Sequence, residues 1–168
     1  MKKHLLLFLT LGVALLLASC ATYQPAFVLS LHEFDDPQLA TRLNKQVRNS
    51  SREWQYTIKK TPFLEASSFL AGEVYGPNDE GLYGLRLQID LWHKGLMREM
   101  ATANLGNVYA VVVDGTYIGT SHFSAEMRNS ELLVIDPLWN LYDATKIVEN
   151  LKDNQSHFNN WHTKPFQR

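Results

Sequence analysis

The 168-residue chain has one cysteine, Cys20, no clear excess of either charge and few glycines and prolines, with 9 and 6 respectively. Each shortage excludes something. A single thiol cannot form an internal disulfide or a multi-thiolate metal site. The low glycine and proline content excludes collagen-like or linker-like architecture. Basic side chains number 16 against 17 acidic ones, so the chain offers no phosphate-neutralising field and nucleic acid is not an expected partner. Motifs of catalysis are missing too: there is no His-Glu-x-x-His, no Gly-x-Ser-x-Gly and no phosphate loop.

What is present begins at the N-terminus. Lys2 and Lys3 precede an apolar run from Leu5 to Leu17, broken only by Thr10 and Gly12, and small residues Ala18 and Ser19 lead to Cys20. This is the layout of an export signal, and the run falls short of the about 20 residues of a membrane span. Leu17, Ala18, Ser19 and Cys20 resemble the bacterial lipobox, which implies cleavage before Cys20 and a diacylglyceryl thioether on its sulfur. Each buried CH2 of an acyl chain contributes roughly 0.8 kcal/mol, so two or three chains hold a protein on a membrane. The expected organisation is a signal at 1–19, a lipidated tether at 20–26, one domain at 27–152 and a loose tail at 153–168. Ala21 stands where inner-membrane lipoproteins often carry Asp, so the expected location in a two-membrane bacterium is the periplasmic face of the outer membrane. Without Lys2 and Lys3 the charge becomes −3, from 14 basic and 17 acidic side chains.

Hydrophobic rhythm predicts the elements. A strand is expected from Phe27 to about Leu31 or Glu33. Asp36 and Pro37 read as a helix entrance, with Leu39, Leu43 and Val47 on the buried face of a helix ending near Asn49. Trp54, Tyr56 and Ile58 alternate as a strand. Leu64 to Gly72 reads as a helical turn, Glu73 to Tyr75 as a strand and residues 76–81 as a turn. Leu85, Leu87, Ile89 and Leu91 alternate cleanly with Arg86, Gln88 and Asp90, and Trp92 to Asn104 reads as a helix covered by Trp92, Leu96, Met100 and Ala103. Val108 to Val113 is the most apolar segment, a central strand or a buried helix by periodicity alone. Asp114 and Gly115 make it the first arm of a hairpin with Thr116 to Ser121. Glu131 to Ile135 is a further strand, and Asp136 and Pro137 a second helix entrance for Leu138, Leu141, Ala144, Val148 and Leu151. The class is α+β: a two-layer, twisted, mainly antiparallel sheet with helices on one face. In the tail, Phe158, Trp161 and Phe166 either fold back on the domain or meet a partner.

Several polar groups have the residue types of chemistry. His32, Glu33, Asp35 and Asp36 read as a strand end and helix cap before a metal or acid-base site, and Asp90 with His93 as a helix entrance. His122 and Glu126 fall short of the three or four ligands of zinc. His157 and His162 lie in the tail. Ser67, Ser68, Ser121 and Ser124 have no neighbouring His and acid in sequence. No catalytic, cofactor or metal residue is assigned; Cys20 is the one assigned site, for lipidation. Trp54, Trp92, Trp139 and the tyrosines sit at core periodicities, and a binding groove is expected where loops 76–84 and 124–130 meet.

A family likeness lies between Thr102 and Leu151. Thr102, Asn104, Gly106 and Asn107, then Ala110 to Gly115, Ile118, a strand and an Ala-containing helix to Leu151 resemble the head subdomain of the first periplasmic domain of SecD, the accessory membrane subunit of the protein-export translocase. The resemblance implies an α+β head and contact with a polypeptide or another envelope protein, without enzymatic activity or cofactor. SecD's ion-coupled motor is not implied, because no apolar run after Cys20 approaches a span. A small-ligand or glycan binder is the alternative, and an envelope hydrolase the reading after that.

Overall fold

The computed structural model describes residues 23–38, 42–129 and 132–163, with side chains of the last helix to residue 160. The expected signal, Cys20, Leu39, Glu131, the side chains of Trp161 and His162, and Phe166 lie outside the described residues. The most apolar segment is the middle of the first sheet. Strand β6 (Val108–Val113) runs between β1 (Leu29–His32) and β7 (Thr116–His122), antiparallel to both. Both faces of β6 are covered, as its lack of alternation requires. Tyr109, Val111 and Val113 enter the main core, whereas Ala110 and Val112 enter a second, smaller one with Val47, Ile58 and Tyr117.

The turn between β6 and β7 is the Asp-Gly turn of the sequence, with Asp114 at φ 49 and Gly115 at φ 77. The Asp114 carboxylate also accepts the amides of Phe27 at 3.0 Å and Val28 at 2.8 Å, which fixes the chain entering β1. A Cβ at position 115 would meet open space, so Gly115→Val tests backbone conformation alone. It is expected to cost about 1 to 3 kcal/mol in denaturant unfolding. An unchanged midpoint and slope would contradict the turn.

The second core exists because a two-stranded hairpin caps the outer face of this sheet. It pairs β2 (Asn44–Arg48) with β3 (Gln55–Lys59), Val47 opposite Tyr56. Residues 44–48 are therefore strand where a helix to Asn49 was expected. The four-residue spacing of Leu43 and Val47 misleads: Leu43 is 74% exposed and only Val47 is buried. A half-buried strand such as β3 needs a hydrogen-bonding neighbour, and β2 supplies it. Asp36 closes a local turn on the Gln38 amide at 2.8 Å.

Strands β4 (Phe69–Tyr75), β5 (Tyr83–Ile89) and β8 (Leu132–Trp139) form the other three-stranded sheet, antiparallel in the order β4-β5-β8. A short 3-10 turn, Ala66–Ser68, precedes β4. Leu85, Leu87 and Ile89 point into the core as their alternation predicts, whereas Leu91, expected to continue the series, lies past the end of β5 and is exposed, because Asp90 caps a helix that starts there. β8 runs through Asp136 and Pro137, so this pair is not a helix entrance. A residue before proline is biased toward extended backbone, and Pro137 lies where the register between β5 and β8 shifts, a place that tolerates a missing amide. The two sheets meet at β7 and β8 through side chains: the Asp136 amide donates to Ser121 Oγ at 3.0 Å, and Asp136 Oδ2 accepts from the His122 amide at 3.1 Å.

Three helices complete the layer. α1 (Leu91–Ala103) is capped by Asp90, whose Oδ1 accepts the amides of Trp92 and His93. Its buried residues are Met97 and Ala101. The expected face of Trp92 and Leu96 is thus displaced by one position, leaving Trp92 90% exposed. α2 (Ala125–Asn129) packs on α1. α3 (Leu141–Thr163) starts at Asn140, which exchanges hydrogen bonds with Asp143, and buries Ala144, Ile147, Leu151 and Asn154. Leu138 belongs to β8 instead. The expected loose tail is helical to Thr163, and Asn154 anchors it: Tyr23 Oη donates to its Oδ1 at 2.9 Å, and its Nδ2 donates to the Ala26 carbonyl at 2.9 Å. The class is α+β as expected, with antiparallel strands divided among two three-stranded sheets and one hairpin.

Candidate functional site: an open edge and face of the second sheet

The two three-stranded sheets differ in what covers them. The first has the β2–β3 hairpin on its outer face, while the second has α3 on its inner face and no described element on its outer face. The register fixes the outer face in rows: Ala71 beside Gln88 and Leu132, Glu73 beside Arg86 and Val134, and Tyr75 beside Gly84. Glu73 Oε1 lies 3.3 Å from Arg86 Nη1, and the Arg86 guanidinium sits 4.8 Å from the centre of the Tyr75 ring. The Tyr75 hydroxyl donates to the Ile135 carbonyl at 3.0 Å, crossing β5 at Gly84. Glycine is required there, because a Cβ would lie 2.5 Å from the ring. Burial raises the Tyr75 hydroxyl pKa, so it remains a donor. Across this face, Ala71, Gly72, Glu73, Arg86, Gln88 and Leu132 line an open cleft of about 240 Å³.

The same sheet ends at β4, which among the described residues pairs on one side only. Regular pairing extends from Ala71 to Tyr75; an irregularity marks one end, between Phe69 and Ala71, and Gly76-Pro77 follows the other. Alternate residues of an edge strand direct N–H and C=O groups away from the sheet, a template for an added strand. Five residues of strand span roughly 17 Å. Gly72 lets α3 press closely on this strand, since a Cβ would lie 2.6 Å from Leu87 and 3.0 Å from Leu151. The edge is therefore held rigid from behind. Partner binding at an edge and face of this kind needs no catalytic group.

The other polar groups are structural in their contacts. His32 is buried: Nδ1 donates to the Lys59 carbonyl at 2.8 Å, and Nε2 accepts from Ser30 Oγ at 3.0 Å. Burial lowers its pKa to about 4, with Lys45 acting in the same direction, although the bond to Lys59 opposes the shift. Glu33 pairs with Lys59 at 2.5 Å, and Asp35 Oδ1 accepts the Asp36 amide. His93 Nδ1 lies 2.6 Å from Asp90 Oδ2 at the cap. His122 finds Asp136 at 2.9 Å, rather than Glu126. Ser121, His122 and Asp136 have the residue types of a hydrolytic triad. Adjacent strand positions face opposite ways, however, and Ser121 is buried, accepting from the Asp136 amide. Ser67 Oγ donates to Glu65, Ser68 Oγ accepts the Glu65 amide, and Ser124 Oγ accepts from the Met127 amide at 3.4 Å. The His157 ring meets Tyr23 at a tilt and Phe158 edge-on. Among the described residues no group of three or more His, Cys, Asp or Glu could hold a metal ion.

The expected groove between loops 76–84 and 124–130 does not form. Tyr83 pairs with Trp139 and Gln88 with Leu132, so the two loops flank opposite ends of the sheet. Sequence reasoning also missed the length of β4. Phe69 to Tyr75 does not alternate, and its signal was indirect: a turn at 76–81 must return from something to the plainly alternating β5.

Antiparallel sheets backed by helices define the class, an α+β domain. Within it, the fold is similar to that of SecDF. A structure of the membrane component SecDF that enhances protein export matches 76% of this chain and 63% of its own, with 16% identity and a TM-score of 0.53. SecDF in its super-membrane-facing form matches over 74% of this chain and 18% of its own, with 15% identity and a TM-score of 0.52. The chain thus spans less than two thirds of either. No protein-family model matches the sequence, and no curated protein does. Among the described residues no helix is long and apolar enough to cross a membrane.

Proposed function

We propose that this protein is a bacterial envelope lipoprotein, acylated at Cys20, whose SecD-like head contacts an extended polypeptide without enzymatic activity. The observation that carries the reading is the open β4 edge beside an uncovered sheet face. Backbone pairing along Ala71–Tyr75 supplies sequence-tolerant affinity, and the cleft around Ala71, Gln88 and Leu132 receives small apolar side chains. The fold likeness adds support, because SecDF is described as enhancing protein export, and an exported chain before folding is extended and rich in unpaired backbone. The lipobox at Leu17–Cys20 supports the anchor and the envelope location, with Ala21 favouring the periplasmic face of the outer membrane.

Photo-crosslinkers placed in cells at Ala71 and Glu73, on the acylated full-length protein, test the contact. Adducts with polypeptide are expected from both, and Glu73→Pro is expected to diminish the Ala71 adduct, because proline removes an amide and disturbs an edge ladder. Absence of adducts at both positions, with adducts at the Asp114–Gly115 hairpin instead, would refute the assignment of β4. The anchor is tested separately by the mass of the mature N-terminus. An acylated cysteine is expected, and an unmodified N-terminus elsewhere would refute it.

A further inference from the structure

The first two residues of α1, Leu91 and Trp92, are 82% and 90% exposed, although the helix behind them is firmly capped by Asp90. We infer that Leu91 and Trp92 form a second membrane contact, a foot that enters the bilayer interface beside the acylated Cys20. The inference rests on the lipoprotein reading and adds a surface and its partner, a phospholipid bilayer.

Position is the first argument. Leu151 of α3 meets Gly72 of β4, and α3 continues past that point to pack on the Ala66–Ser68 turn. The Asp90 amide donates to the Ser68 carbonyl at 3.0 Å, so the start of α1 lies at this end of the sheet. The N-terminal segment arrives at the same end: Tyr23 hydrogen-bonds Asn154 and its ring lies 5.7 Å from that of His157. Cys20 is three residues before Tyr23, at most about 10 Å of extended chain. An acyl chain on Cys20 therefore brings the bilayer to the end of the molecule that carries Leu91 and Trp92.

Chemistry is the second. Tryptophan has an apolar body and one N–H donor, which suits the headgroup level of a bilayer better than either water or hydrocarbon. Leu70 and Leu132, 36% and 38% exposed, lie near the same end, Leu132 opposite Gln88 and Leu70 next to Phe69, which pairs with Ile89. Acyl chains alone fix distance from the membrane but leave the domain free to swivel. A rigid aromatic foot would restrict that rotation and fix the direction in which β4 faces.

The test uses the acylated full-length protein in vesicles of phosphatidylethanolamine and phosphatidylglycerol, with and without brominated acyl chains that quench tryptophan on contact. Most of the bromolipid-dependent quenching is expected to disappear in Trp92→Phe and to persist in Trp54→Phe, which alters an exposed tryptophan beside β3. Undiminished quenching in Trp92→Phe would overturn the inference. So would a photo-crosslinker at position 92 that yields protein adducts instead of lipid adducts in cells. If the mature N-terminus carries no acyl group, the lipoprotein reading fails on that mass alone, while quenching through Trp92 in vesicles still decides whether the foot exists. Crosslinks from Ala71 and Glu73 that persist in Trp92→Phe would separate loss of the foot from loss of polypeptide contact.

Discussion

Val112→Asp is expected to leave the domain largely unfolded at neutral pH. Val112 is 1% exposed and lies in the second core among Val47, Ile58, Ala110 and Tyr117. Truncation to Ala removes two methyl groups and is expected to cost about 2 kcal/mol, the transfer loss plus a small cavity. Aspartate does more: its carboxylate either ionises without a partner or remains protonated at the cost of a large pKa shift, and either outcome adds several kcal/mol. A domain of this size has only about 5 to 15 kcal/mol in total. Urea unfolding of the three proteins checks the order. Equal stability for the Ala and Asp variants would show that the outer face of β6 is wet and that the β2–β3 hairpin does not cap it.

Acidification should also weaken the domain, through His32. The ring is buried between the first sheet and β3, accepting from Ser30 at Nε2, and its pKa is lowered from 6.5 to about 4. Between those values the unfolded chain binds a proton that the folded chain does not, so stability rises with pH. The contribution is fully present above about pH 6.5 and is lost as pH falls toward 4. The full difference corresponds to roughly 3 kcal/mol. Denaturant unfolding at pH 7.5 and 4.5 should therefore differ by about that amount beyond the carboxylate background, and His32→Gln should remove the difference. An undiminished pH slope in His32→Gln would show that other groups carry it.

How much of this was legible in the sequence depends on whether a segment's pattern matched its surroundings. β5 alternates because one face is core and the other is open; β6 does not because both faces are covered, and Asp114-Gly115 has one economical conformation. Those elements could be read directly. The β2 error arose because Val47 is the one buried apolar residue of its strand, so its rhythm with Leu43 was accidental, and the strand exists chiefly to satisfy β3. Asp136-Pro137 carried two meanings, helix entrance and extended pre-proline residue, and the contact of Asp136 with β7 selected the second. α1 was placed well but turned by one position, since the largest apolar residues were assigned inward and the smaller Ala101 with Met97 took the core instead. The open β4 edge was not legible: an edge is defined by a missing neighbour, which is a property of the sheet order.

The proposed role of β4 as a polypeptide-accepting edge is tested most directly by amide hydrogen exchange of the full-length protein, with and without a reduced and carboxymethylated, permanently unfolded polypeptide. The account predicts slower exchange at alternate amides between Ala71 and Tyr75, those directed away from β5, with little change in β5 and β6. Unchanged exchange throughout β4, or protection confined to the Asp114–Gly115 hairpin and the β2–β3 surface, would contradict it.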